Sequence, residues 1–260
     1  MQLILDMGNS TIVAALMTNG EITHSARIPS SRQKPQEFFE EELSKLMALA
    51  DGADVERCAL SSVVPELNER LCAAAEAVTN APVTVITTEM IQQMLTLDVD
   101  KPSAVGKDRL CDCIGALSLD AINGTEWAVV IDMGTATTVN VISCSSTGCT
   151  FHGGMIIPGV RTSLLSLSNK ASQLDEVRIE APEHIIGRNT TQCMQSGIVY
   201  GHAAMIDGII ERIAEEFNTT NLSIVATGGM AKKIIPHCRH EIHYDEHLLL
   251  KGLYRIVNLI

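Results

Sequence analysis

The stretch LILDMGNSTIV, residues 3–13, returns almost unchanged as VVIDMGTATTV at residues 129–139. Aligned end to end, the two share Asp6-Met7-Gly8 with Asp132-Met133-Gly134, Thr11 with Thr137, and Val13 with Val139. In each copy an apolar run ends in Asp, a Gly permits a tight turn, and small hydroxyl or amide residues lead into a second β-rich run. A phrase repeated 126 positions later in a chain of 260 residues predicts two duplicated halves.

What surrounds each copy supports duplication. In the first half, MQLILDM and TIVAAL read as strands, and Asn19-Gly20 is a hairpin turn into EITHSARI. EFFEEELSKLMALA has helical periodicity, with Phe38, Leu43, Leu46 and Leu49 available for an inward face. CALSSVVPEL reads as a buried strand stopped by Pro65, ERLCAAAEAV as a helix and PVTVIT as a strand. In the second half WAVVIDMG, TATTVNVIS and CTFHGGMII follow the same plan, with Thr147-Gly148 at the hairpin. A helix after Pro158-Gly159, the helix SGIVYGHAAMIDGIIERIAEEF and the strand LSIVATGG complete it. Strand, hairpin, helix, strand, helix in each half predicts an α/β sandwich twice over. The expected domains are 1–115 and 116–260, with RLCDCIGALSLDAI (109–122) as the bridge.

Composition narrows the function classes. Hydrophobic residues are 46% of the chain and charge is scattered, which describes a soluble globular protein. A net charge of −12 and only 3% aromatics argue against nucleic acid, whose phosphates need Lys and Arg and whose bases need stacking platforms. The opening apolar run is too short for a signal peptide or a membrane span, and no membrane partner is expected. Eight scattered cysteines form no C-x-x-C pair, so a cytoplasmic protein with reduced thiols is expected.

The D-x-G phrase has a specific chemical use. Backbone N–H groups at such a turn form a concave anion site, and the Asp can hold a metal ion beside bound phosphates. A lone D-x-G after a strand is usually only a β-turn. Two copies at equivalent places in duplicated halves favour a pair of phosphate loops, suited to phosphoryl transfer across a nucleotide cleft. Neither a G-x-x-x-x-G-K-[ST] loop nor a G-x-G-x-x-G helix start is present. VATGGMA (225–231) ends a strand in Gly228-Gly229, which admits close approach of a flat base or ribose. Its first-half counterpart, LSSVVPE (60–66), has no glycine. Between the copies lies Gly106-Lys107-Asp108-Arg109 at the start of a helical pattern. Asp108 serves equally as a helix N-cap or as an acceptor for an alcohol proton, and Arg109 can grip a carboxylate or phosphate.

The ordered set LILDMGNST, GKDR, VIDMGTATT, GGMIIPG, GRNTTQCMQSGIVYG, ATGG and HYDEHLLLKGL resembles the type III pantothenate kinases. These belong to the superfamily of acetate and sugar kinases, Hsp70 and actin. The resemblance spans nearly the whole chain and implies two duplicated actin-like (ribonuclease H-like) lobes with a nucleotide cleft between them. It implies ATP-dependent phosphorylation of the primary hydroxyl of pantothenate, the first committed step toward coenzyme A. Asp6, Met7, Gly8, Asn9, Ser10, Thr11, Ile12 and Val13 would then form the first phosphate loop, with Asp6 near Mg2+. Gly106, Lys107, Asp108 and Arg109 would contact pantothenate, with Asp108 as general base, and Thr190 would touch the same substrate. Asp132 would help to bind a monovalent cation (K+ or NH4+), and Thr135, Gly228 and Gly229 would meet the nucleotide. The family is homodimeric, with substrate near the subunit interface. It usually carries a Tyr that lines the pantothenate pocket seven residues before the Gly of its G-x-D-R; this chain has Val99 at that substrate-binding position.

Three other readings stand beside this one: a kinase for another small alcohol or carboxylate, a nucleotide-binding regulatory protein, and a phosphatase of the same superfamily. The run HCRHEIHYDEH (237–247) offers zinc-type ligands, but its pattern is that of a turn and edge strand at a surface.

Overall fold

The computed structural model describes residues 1–50, 52–170 and 177–259. They form two units: Met1–Ser118 together with the segment from His247 to the C-terminus, and Leu119–Glu246.

The first unit is built on a five-stranded sheet of order β3-β2-β1-β4-β5. Its strands are β1 (Gln2–Met7), β2 (Thr11–Thr18), β3 (Glu21–Pro29), β4 (Arg57–Ser62) and β5 (Val83–Val85). β1, β2 and β3 run antiparallel, whereas β4 and β5 are parallel to β1. Asn19 and Gly20 take positive φ of 54° and 84°, so the β2–β3 hairpin closes through residues that tolerate this backbone. Helices α1 (Gln36–Met47) and α2 (Pro65–Thr79) cover one face of the sheet. There Leu3, Leu5, Met7, Ile12, Phe39, Leu43 and Leu67 form the core. Pro65 opens α2 at its first turn, where a missing N–H does no harm. In α1 the fully buried positions are Phe39, Leu43 and Leu46; of the expected residues Phe38 packs partly buried against the same core, whereas Leu49 lies in a 3-10 turn past the helix and is 54% exposed.

Short elements α3 (Thr88–Ile91) and β6 (Leu95–Leu97) lead to α4 (Lys107–Ala116). The unit is completed by the C-terminal helix α8 (Leu248–Leu259) on the sheet face opposite α1 and α2. Gln2 Nε2 donates to Asn258 Oδ1 at 2.6 Å, and Arg57 Nη1 donates to Val257 O at 2.8 Å. α8 packs on α4 through two glycines: a Cβ on Gly115 would run into Leu248 O, and one on Gly252 into Cys111 O. The units therefore divide differently from 1–115 and 116–260. The chain's last helix returns to the first sheet because its apolar side (Leu248, Leu250, Leu253, Ile256) is buried there. The expected bridge is also shorter, since α4 ends at Ala116 and Asp120–Ile122 is a separate 3-10 turn.

The second unit repeats the first. Its strands β7 (Trp127–Met133), β8 (Ala136–Ser145), β9 (Gly148–Pro158), β10 (Leu222–Thr227) and β11 (His243–Tyr244) follow the order β11-β10-β7-β8-β9. Antiparallel β7-β8-β9 and parallel β7-β10-β11 match β1-β2-β3 and β1-β4-β5. Helices α5 (Val160–Lys170), α6 (Thr190–Glu216) and α7 (Ala231–Ile234) pack a core of Val129, Ile131, Met133, Val139, Ile198, Ile210 and Ile224. α6 begins six residues before the sequence pattern suggested, because the Asn189 side chain caps it by accepting from Gln192 N at 2.9 Å. The expectation of all-reduced thiols is corrected here. Cys144 and Cys149 face each other in the β8–β9 register and are joined by a disulfide, while the other six cysteines are free. Their C-x4-C spacing around Thr147-Gly148 was the signal for it. No helix among the described residues is long and apolar enough to cross a membrane.

Candidate active site

In the first unit β1 delivers Asp6 to the sheet's end. Alternation sends Leu3, Leu5 and Met7 into the α1–α2 core, so Asp6 projects from the opposite face and is half-buried. Gly8 N donates to Thr11 O at 3.0 Å, closing the loop, and Ser30 N holds Ser10 O at 3.1 Å. Asn9 and Ser10 at the loop's tip are exposed, Thr11 and Val13 are half-buried, and Ile12 is buried in the core.

The GKDR segment opens α4 in the same unit. Gly106 is the N-cap, and Asp108 lies in the first turn with its Oδ1 accepting Arg109 N at 2.8 Å. Asp108 is thus not the N-cap residue, although its carboxylate still satisfies a first-turn N–H. A side chain at Gly106 would collide with Asp108 Oδ1, so the glycine clears room for the carboxylate. One turn further, Cys111 is fully buried. Burial pushes its thiol well above the ordinary range, and the Asp112, Asp6 and Asp108 carboxylates push it further the same way. Asp6 at the end of β1 and Asp108 on the GKDR helix thus act electrostatically on the same buried thiol. Lys107 and Arg109 are half-buried beside Asp108, and Val99 lies half-buried in the bend after β6.

In the second unit β7 delivers Asp132 in the same way, with Met133 in the core. Gly134 N donates to Ala136 O at 3.1 Å, and Thr135 is exposed at the tip. The loop is braced from outside the D-M-G phrase. Thr162 Oγ1 donates to Thr135 O at 2.7 Å, and a Cβ on Gly159 would collide with Thr135 O. Gly228 has φ +90°, and a Cβ there would collide with Asp132 Oδ1 and lie 2.6 Å from the Met133 carbonyl carbon. Gly229 faces open space. The two glycines are therefore unequal: Gly228 is required for the loop to close on Asp132, and Gly229 leaves the surface bare. Thr190 is the exposed first residue of α6.

The repeated phrase is not one structure twice. In the first unit Met7 pairs with Ile12, and in the second Met133 pairs with Thr137. The second loop is therefore one residue shorter. Because strand side chains alternate, that slip reverses the facing of all that follows. Ile12 and Ala14 point to the first core, whereas Val139 and Val141 point to the second, and Thr137 is buried beside them. The matches Thr11–Thr137 and Val13–Val139 are thus matches of letters, while Asp6–Asp132 and Met7–Met133 are matches of position.

No group of three or more His, Cys, Asp or Glu among the described residues is placed to hold a metal ion, the 237–247 run included. A loop with one carboxylate instead suits an ion that brings its own oxygens, as Mg2+ does with phosphates and water. Asp6 fits that role.

The sequence profile of the type III pantothenate kinases matches residues 2–212. The type III pantothenate kinase of Deinococcus radiodurans is 35% identical over 256 residues, covering 98% of this chain and 95% of the relative. Among solved structures, a Baf family protein from Campylobacter jejuni superposes with a TM-score of 0.61 at 18% identity, covering 99% of this chain and 98% of its own. The ROK hexokinase of Thermus thermophilus superposes at 0.52 with 11% identity, covering 99% of both chains. Each unit is thus an α/β lobe of the actin-like, ribonuclease H-like kind. Matched over most of its length by the profile and over nearly all of it by a curated relative, the chain belongs to the type III pantothenate kinase family.

Proposed function

We infer that this protein transfers the terminal phosphoryl group of ATP to the primary hydroxyl of pantothenate, giving 4′-phosphopantothenate and ADP. The single observation that carries the reading is family membership over nearly the whole chain with an intact GKDR helix start. In this reading Asp108 accepts the hydroxyl proton as the oxygen attacks phosphorus, and ADP leaves with the former bridging oxygen. Arg109 and Lys107 hold the substrate carboxylate and neighbouring oxygens, with Gly106 giving backbone access and Thr190 adding a further contact. The loop from Asp6 to Val13 cradles the outer phosphates, Thr135 contacts the nucleotide, and Gly228 with Gly229 borders its base. Asp6 would hold Mg2+, which neutralises charge on the transferred phosphoryl group.

Asp132 is assigned to a monovalent cation, K+ or NH4+. A homodimer acting in the cytoplasm, without nucleic acid or membrane as partner, completes the proposal. Val99, where the family usually has Tyr, supports a second reading in which the acceptor is another small alcohol or carboxylate.

A coupled assay decides between them. ADP release is expected only when pantothenate, ATP and Mg2+ are all present, in equal amount to the phosphorylated product. ADP release without pantothenate would indicate a hydrolase. Nucleotide binding with no product from pantothenate or from a panel of related alcohols would indicate a regulatory protein.

A further inference from the structure

The face of the first sheet that carries Asp6 holds a second polar group that the family motifs do not use. On β4, Cys58 and Leu60 point into the α1–α2 core, so Arg57, Ala59 and Ser61 point to the other face. The bonds from Arg57 to Val257 O and from Gln2 to Asn258 show that this face lies under α8. In the parallel register of β1 and β4, Ser61 stands directly beside Asp6. Ser61 is 0% exposed, and its Oγ has no hydrogen-bond partner among the described residues. The next residue behaves differently, since Ser62 Oγ accepts Val64 N at 3.0 Å.

A buried hydroxyl without a partner keeps its full desolvation penalty, and buried polar groups are nearly always satisfied. A serine kept at such a place calls for a state in which it is used. The second unit repeats the arrangement: Thr227, 5% exposed, stands beside Asp132 in the parallel register of β7 and β10, again on the face away from Ile224 and Ala226. Glycines distinguish the strand ends LSSVVPE and VATGGMA, but a hydroxyl residue next to the carboxylate is common to both.

We propose that Ser61 is a positioning residue for Asp6. When a metal–nucleotide complex draws the carboxylate toward the loop, the Ser61 hydroxyl donates to one carboxylate oxygen and leaves the other for the ion's shell. The proposal rests on the ATP-dependent reading given above. Outer partners of this kind typically change metal affinity by about 10–100-fold.

The test uses Ser61→Ala, which removes one oxygen and nothing else, and Ser61→Thr, which keeps the hydroxyl. Titration calorimetry with ADP is run in Mg2+ and again in EDTA. For Ser61→Ala, affinity is expected to fall about tenfold in Mg2+ and to stay unchanged in EDTA. The melting temperature of the ligand-free protein is expected to hold or rise, because an unsatisfied hydroxyl is gone. The half-saturating Mg2+ concentration for turnover should rise in step, and Ser61→Thr should restore both. If Thr cannot be packed and that variant unfolds, Ser61→Cys, similar in size and a weak donor, should follow Ala. Unchanged affinity in Mg2+ together with a lowered melting temperature would overturn the proposal and make Ser61 a packing residue. Absence of Mg2+-dependent ADP binding by the unaltered protein would overturn it too. The Mg2+-specific loss of ADP binding in a protein that phosphorylates no pantothenate would instead leave Ser61's role standing and reject the substrate assignment.

Discussion

Gly228 and Gly229 are neighbours with different physical obligations. At Gly228 a side chain meets Asp132 Oδ1 and the Met133 backbone, and φ of +90° is strained for any L residue. Gly228→Ala is expected to destabilise the second unit by about 2 kcal/mol or more and to weaken nucleotide binding, measured by thermal unfolding with and without ADP. Gly229→Ala meets nothing within 4 Å and should change stability by less than about 0.5 kcal/mol. Asp108 offers a cleaner chemical test. Asn keeps an oxygen for the Arg109 amide, now at 2.8 Å, but loses the basic carboxylate. Asp108→Asn should lower turnover by about a thousandfold while ADP affinity stays within about twofold. Near-normal turnover would remove Asp108 as general base.

At the scale of elements, helical glycines on this chain divide by what they touch. Replacing a mid-helix Gly by Ala ordinarily stabilises by up to about 1 kcal/mol. Gly252 reverses the sign, because its Cβ would collide with Cys111 O and sit 2.8 Å from the Cys111 carbonyl carbon. Gly252→Ala should separate α8 from α4 and lower stability by about 1–3 kcal/mol in urea unfolding. Gly201, exposed on α6 with nothing within 4 Å, should behave in the ordinary way, and Gly201→Ala should stabilise. Because α4 also carries Asp108, the Gly252 variant is expected to lose activity as well. That links the α8–α4 packing contact to the chemistry proposed at the helix start.

For the whole molecule, the relevant charge chemistry is local and borrowed. With no three-ligand metal group among the described residues, chelation should leave the melting temperature of the ligand-free protein unchanged. It should abolish turnover and reduce the stabilisation by ADP, which in Mg2+ at a hundredfold excess over Kd is about 2.7 kcal/mol. A large fall in ligand-free stability on chelation would point to a structural metal instead. On the proposed assignment of Asp132 to K+ or NH4+, exchanging K+ for Na+ should lower activity without altering unfolding.

Much of this was legible from residues in a row. Strand and helix patterns, the Asn19-Gly20 hairpin, the D-M-G phrase at two strand ends and GKDR at a helix start all rest on chemistry within a few residues, where periodicity and turn preference act. What lay beyond reach depended on partners far along the chain. The one-residue difference between the Met7–Ile12 and Met133–Thr137 pairings is invisible in an alignment, yet it turns Val13 and Val139 to opposite faces, because strand facing has a period of two. α8 joins the first unit because Gly252 and Gly115 let two helix backbones meet across more than a hundred residues. Ser61 reads as an ordinary strand residue until register sets it beside Asp6. The repeated phrase therefore announced two lobes from local pattern alone, while strand pairing and helix packing decided which of its letters do the same work.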